Sequence, residues 1–142
     1  IVQVNQSLSR KGVLRGLHFQ KSPFEQGKIV QVPEGRGIYM IVDLRKDSRT
    51  FGKWFSFELD EHFRRFLFVP RGFAHGFLSL EEGTILEYGC TDYFNKEYEE
   101  GIIWNDLDLN INWKLKENNI KDLILSEKDR NLKGFKAILE AI

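Results

Sequence analysis

A chain of 142 residues with 21 basic and 21 acidic side chains has no formal net charge. Without a long run of one sign it lacks the basic stripe of a nucleic-acid binder, and no apolar stretch reaches the ~20 residues of a membrane span. Cys90 is the only cysteine, which excludes a disulfide framework or a thiolate zinc site within one chain and suits a reducing cytoplasm.

The length fits one domain over residues 1–142. Aromatic residues are 13% of the chain, a share that favours strands and wide interiors. The sequence opens Ile1-Val2-Gln3 and its sole methionine is Met40, so a natural N-terminal segment is expected ahead of Ile1. From Val13 onward, short apolar runs alternate with turn-forming breaks. Strands are predicted at Val13–Phe19, Lys28–Val32, Gly37–Leu44, Trp54–Leu59, Phe66–Val69, His75–Ser79 and Thr84–Thr91. The breaks include Pro33-Glu34-Gly35, Arg71-Gly72 and Glu81-Glu82-Gly83. Short strands without helical periods between them predict an all-β fold, an antiparallel sandwich or barrel. After Trp113 the chain turns polar over Lys114–Asp122. Asn131–Ile142 then reads as a helix with Leu132, Phe135, Ile138 and Leu139 on one stripe, an outer layer or lid on the barrel.

Side-chain parity along these strands singles out polar residues. Tyr88 shares a face with Leu86 and Cys90, while Glu87 takes the other. Lys28 lies with Val30 and Val32, and His75 with Phe73 and Phe77. A lysine, a tyrosine and a histidine therefore point into an apolar interior, where a polar group is costly unless partnered. In Arg15-Gly16-Leu17-His18, strict alternation would put Arg15 and His18 on opposite faces. A bulge at Gly16 would bring both to one cavity.

Gly12-Val13-Leu14-Arg15-Gly16-Leu17-His18-Phe19-Gln20 and Gln26-Gly27-Lys28 resemble the dTDP-4-dehydrorhamnose 3,5-epimerase family. So do Val42-Asp43-Leu44-Arg45, Val69-Pro70-Arg71-Gly72-Phe73-Ala74-His75-Gly76-Phe77 and Gly101-Ile102-Ile103-Trp104-Asn105-Asp106. The similarity runs from Val2 to Asp129 with these motifs in order. It implies a jelly-roll barrel of the cupin type, a homodimer, no required cofactor and no metal. The implied substrate is a nucleotide-diphosphate 4-keto-6-deoxy sugar, with inversion beside the ketone through an enolate.

Such chemistry needs a base, an acid across the ring and a holder for enolate charge. By the resemblance His18 is the base, Asp129 its acidic partner, Tyr88 the opposing acid and Lys28 the cation beside the ketone oxygen. Asp129 also reads as the first turn of a helix opened by Ser126. A lysine facing valines has no comfortable structural role, so Lys28 points to function without the family. Arg15 and His75 match positions lining the pocket, although His75 reads equally as a structural donor to a barrel carbonyl. Gln3, Asn5, Gln20, Glu100 and Lys128 fall where the family contacts nucleotide or sugar. Tyr93-Phe94 stands where many members carry consecutive tyrosines, which leaves the sugar and the number of inversions open. Asp43 and Arg45 read as a structural pair at a strand end.

Three other readings compete. A metal-dependent cupin needs clustered histidines, but His18, His62 and His75 are isolated, with His62 in the charged turn Asp60–Arg65. A sugar-nucleotide 3,4-ketoisomerase would use the same enolate chemistry. A non-catalytic sugar-binding barrel need not keep the base, the acid and the lysine together.

Overall fold

The protein is described here by a computed structural model covering residues 1–62 and 66–142. Among the described residues, nine strands form two antiparallel sheets that face one another as a jelly-roll barrel. They are β1 (Gln3–Ser9), β2 (Leu14–Gln20), β3 (Lys28–Glu34), β4 (Arg36–Asp43), β5 (Trp54–Asp60), β6 (Leu67–Val69), β7 (Phe73–Ser79), β8 (Thr84–Cys90) and β9 (Glu99–Gly101). One sheet runs β1-β8-β3-β6 and the other β5-β4-β7-β2-β9. The strands expected from alternation coincide with β2 to β8, shifted by a residue or two at their ends. The charged turn expected over Asp60–Arg65 lies partly outside the described residues.

Two strands lie beyond the predicted set. In β1 the usual pattern is inverted, with polar Gln3, Asn5 and Ser7 half-buried while Val4 and Leu8 are exposed. A strand whose inner face lines a polar space gives no apolar alternation to read. Strand β9 has only three residues, too few for a period.

The five-stranded sheet is covered on both sides. Its inner face packs Tyr39, Ile41, Phe73 and Phe77 against Val30, Val32 and Leu86 of the other sheet. Its outer face carries Leu14, Met40, Val42 and Leu78 into a second core with Ile102, Trp113 and Ile138. Strands β4 and β7 therefore read as continuous apolar runs, as sheets covered on both faces do. The inner core is tight enough that a Cβ on Gly37 would lie 2.1 Å from Phe77 Cζ.

The C-terminal segment forms this outer layer, but not as one helix. Instead of a helix over Asn131–Ile142 there are two short ones, α1 (Glu127–Arg130) and α2 (Phe135–Leu139). Between them Lys133 makes a β-bridge to Ile102, and Leu132 lies outside the helical stripe. Gly134 is the N-cap of α2 and offers no side-chain cap bond. Asp106 takes over that task, accepting the Phe135 N–H at 2.9 Å and the Leu109 N–H at 3.0 Å. Ile138, fully buried, anchors α2.

One charged cluster closes the end of β4. The Asp43 carboxylate is fully buried and accepts Arg45 Nε and Nη2, both at 3.0 Å, together with the Ser48 and Thr50 hydroxyls. The Arg45 guanidinium also lies 4.6 Å from the Phe73 ring centroid. Burial pushes the Asp43 carboxyl up, but the bonds from Arg45, Ser48 and Thr50 outweigh it and hold it far below its ordinary value. A depressed carboxyl stabilises the fold fully above its unfolded-state pKa and loses that contribution as pH falls through the folded one. Asp43→Ala, which strands the donors of three side chains, is expected to cost about 3 kcal/mol in urea unfolding at neutral pH. The gap to wild type should narrow as pH is lowered below 4.

Candidate active site

The site is organised by an irregularity in β2. Arg15 and Gly16 pair with Phe77 and Gly76, but the next register partner of His75 is His18, so Leu17 is an extra residue. Leu17 turns away and exchanges backbone hydrogen bonds with Ile102, at 3.1 and 2.9 Å. Gly16 has φ +108°, and a Cβ there would lie 2.5 Å from the His75 carbonyl oxygen. Only glycine fits such a backbone at such a distance. The bulge brings Arg15 and His18 to one cavity wall.

The bulge also ties His18 to Asp129. His18 Nε2 lies 2.5 Å from Asp129 Oδ1, while Oδ2 accepts the Gly16 N–H at 3.0 Å. Asp129 is buried, and its own N–H donates to the Ser126 side chain at 3.1 Å. A helix first turn and a histidine partner are thus the same residue. Burial pushes the Asp129 carboxyl up, but the His18 hydrogen bond and charge, the Gly16 N–H and Lys128 bring it below its ordinary value.

The cavity has a larger lobe of about 530 Å³ and an adjoining one of about 280 Å³. His18, Lys28, His75 and Tyr88 border both. His18 on β2 and His75 on β7 come from the five-stranded sheet, Lys28 on β3 and Tyr88 on β8 from the other. Imidazole and phenol therefore face each other across the barrel. The Lys28 ammonium sits 4.8 Å from the Tyr88 ring centroid, within cation–π range. Burial lowers the Lys28 pKa, with Cys90 and Glu99 opposing. Burial raises that of Tyr88, with Cys90 adding and Arg15 opposing, so the phenol keeps its proton at neutral pH. Among the described residues no group of three His, Cys, Asp or Glu side chains could hold a metal ion.

The remaining candidates spread around this centre. Gln3 and Asn5 project from β1 into the larger lobe, with Phe94 at its rim. Gln20 borders it too, but its amide donates to Phe24 O at 2.7 Å and Tyr93 O at 3.2 Å and accepts Asn95 N–H at 2.7 Å. Arg15 and Lys128 line the smaller lobe. Arg15 donates twice to Ser9 Oγ at 3.2 Å, and Lys128 pairs with Glu99. Glu100 borders neither lobe and lies 3.8 Å from Lys21, because successive residues of β9 face opposite ways and Glu99 takes the cavity side.

A family model described as dTDP-4-dehydrorhamnose 3,5-epimerase matches residues 1–137. The chain belongs to the dTDP-4-dehydrorhamnose 3,5-epimerase family. It is 50% identical over 135 residues to the family's enzyme from Methanothermobacter thermautotrophicus, covering 95% of this chain and 71% of that one. The crystal structure of the 3,5-epimerase from Elizabethkingia anophelis superposes with a TM-score of 0.90 at 48% identity, covering 96% of this chain and 73% of that one. The epimerase from Legionella pneumophila, solved in complex with dTDP-4-keto-L-rhamnose, gives 0.89 at 42% identity over 96% and 70% of the two chains.

Three cavity residues of this 3,5-epimerase family member escape the reading of the sequence. Ser7 and Glu99 sit on the two strands that alternation misses. Tyr39 borders the smaller lobe from β4, hidden inside an unbroken apolar run; its parity with Ile41 was the available clue. Gly16→Ala is expected to lose more than about 1 kcal/mol of stability, since the methyl meets a backbone oxygen. A urea midpoint equal to wild type would show that the bulge tolerates a side chain.

Proposed function

We propose that the protein inverts carbon 3, carbon 5 or both in a nucleotide-diphosphate 4-keto-6-deoxy sugar, as dTDP-4-dehydrorhamnose 3,5-epimerase or a close relative. The observation that carries this reading is the Asp129-paired imidazole of His18 facing the Tyr88 phenol, with the Lys28 ammonium beside it. A proton on a carbon next to a ketone is acidic enough to be taken by a neutral imidazole once the resulting enolate is held. His18 takes that proton, and Asp129 stabilises the imidazolium. Lys28 offsets the negative charge on the former ketone oxygen. Tyr88 returns a proton to the opposite face, which inverts the centre; the phenolate then regains a proton from solvent and the His18 imidazolium releases one to it, so no proton is consumed overall.

The larger lobe is within the usual size of small-molecule sites. Arg15 is the ligand for diphosphate or sugar oxygens. His75, Gln3, Asn5, Gln20, Lys128 and Phe94 complete the surround. Phe94 brings a ring without a hydroxyl to the rim, where the family resemblance leaves the sugar and the choice between one and two inversions open.

Incubation with dTDP-4-keto-6-deoxyglucose in deuterium oxide, followed by NMR, tests the scheme. Deuterium should enter at carbon 3, carbon 5 or both, and His18→Asn should slow it roughly 10²–10⁴-fold. Tyr88→Phe should leave His18-dependent exchange while suppressing the inverted product. No deuterium in the wild-type reaction would leave a binding barrel. A 3-keto product would indicate a ketoisomerase.

We also infer that one domain of this kind pairs with a second copy. The outward face of the four-stranded sheet aligns Val4, Gly89, Ile29 and Phe68 across all its strands, and Val4, Leu8 and Phe68 are exposed. Beside that row Gln6 and Gln31 both donate to Glu87 at 2.6 Å, which satisfies the polar groups in the middle of the face. A broad apolar face of this kind supports an interface. Sedimentation equilibrium should give twice the 16.7 kDa chain mass, and Phe68→Glu should shift the protein toward monomer.

A further inference from the structure

The proton-transfer scheme leaves one buried group of the cavity without a task. His75 is 5% exposed, and its ring borders both lobes. Its Nδ1 lies 2.7 Å from the Tyr39 hydroxyl, in a pair buried on both sides. Its Nε2 has no partner. Among the described residues the only other buried side-chain polar atom without one is Ser7 Oγ, and it too lines the smaller lobe. Unmatched polar atoms are rare inside proteins, and here both border a cavity able to supply a partner.

The bond to Tyr39 decides which nitrogen of His75 carries the proton. If Nδ1 were protonated, it would donate to the phenol oxygen, and the phenol proton would then have no acceptor among the described residues. If the phenol donates to Nδ1, one bond satisfies both atoms. The chemistry favours the second arrangement, because a phenol is the better donor and an imidazole nitrogen the better acceptor. Burial holds the Tyr39 phenol protonated, well above its ordinary pKa. Burial, and then the charges of Lys28 and His18, keep His75 far below its ordinary pKa and so neutral.

We propose that Tyr39 is a positioning residue that locks His75 as the neutral Nε2–H tautomer, so that Nε2 offers a hydrogen-bond donor to an acceptor oxygen of the bound sugar. The role of the sugar rests on the reading given under Proposed function; the tautomer does not. A neutral imidazole N–H is a very weak acid. It therefore holds an oxygen that gains charge without protonating it, and it adds no second cation beside Lys28. Tyr39 acts only through His75.

Long-range 1H–15N correlation spectra of histidine-labelled protein test the lock. Ligand-free wild type should show His75 with a protonated Nε2 and a bare Nδ1, and Tyr39→Phe should show a mixture of tautomers. A protonated Nδ1, a doubly protonated ring, or a Tyr39→Phe spectrum unchanged from wild type would overturn the proposal. Kinetics give a second reading. His75→Gln sets its amide nitrogen near the place of Nε2, His75→Asn near that of Nδ1. The Gln variant should keep about tenfold more kcat/KM than the Asn variant, the worth of about one hydrogen bond; equal losses count against the donor role. Wild-type protein with the expected tautomer but no deuterium wash-in would remove the sugar and leave the Tyr39–His75 lock standing.

Discussion

Everything in the cavity is referred to one extra residue in β2. The bulge at Gly16 and Leu17 turns Leu17 toward Ile102 and presents Arg15 and His18 to a common space. The Gly16 N–H freed from the ladder donates to Asp129, the carboxylate that holds His18. One local irregularity thus aims the imidazole, supplies a donor for its partner and ties the C-terminal helix α1 to the barrel. Without the bulge, pleating would turn His18 out of the space that Tyr88 faces.

The barrel around this point is divided by chemistry. One end of the space between the sheets is filled by Val30, Val32, Phe77 and Leu86, and the other is lined by Lys28, His18, His75 and Tyr88. The five-stranded sheet, covered on its far side by Trp113, Ile138 and their neighbours, is the rigid wall. It carries both cavity histidines, His75 held by a buried hydrogen bond and His18 by a part-buried one. The opposite wall supplies the phenol and the ammonium. Burial acts on these two in opposite senses, raising Tyr88 and lowering Lys28, because it disfavours whichever form is charged.

Much of this was legible in the residues themselves. Period-two alternation located β2 to β8, and parity placed Lys28, His75 and Tyr88 inside before any geometry was known. The glycine in Arg15-Gly16-Leu17-His18 announced the bulge, since a kinked strand needs a residue free to take positive φ. Helix and strand signals failed where partners rather than neighbours decide. Strand β1 is apolar outward and polar inward because it lines a site, and the stripe over Asn131–Ile142 is cut where Lys133 bridges to Ile102 and Gly134 starts a new helix.

The sequence by itself determined the all-β class and the inward set of ionisable side chains, because these follow from local periodicity; the 3,5-epimerase family entered through the resemblance of its motifs. The Asp129–His18 pair, 111 positions apart, was implied only by the family resemblance; tertiary structure alone decided Tyr39 with His75 across 36 positions and Glu99 rather than Glu100 at the cavity. Hydrogen-bond partners distant in the chain are chosen by sheet register and by how the C-terminal segment returns to the barrel. Neither leaves a trace in the spacing of the residues that meet.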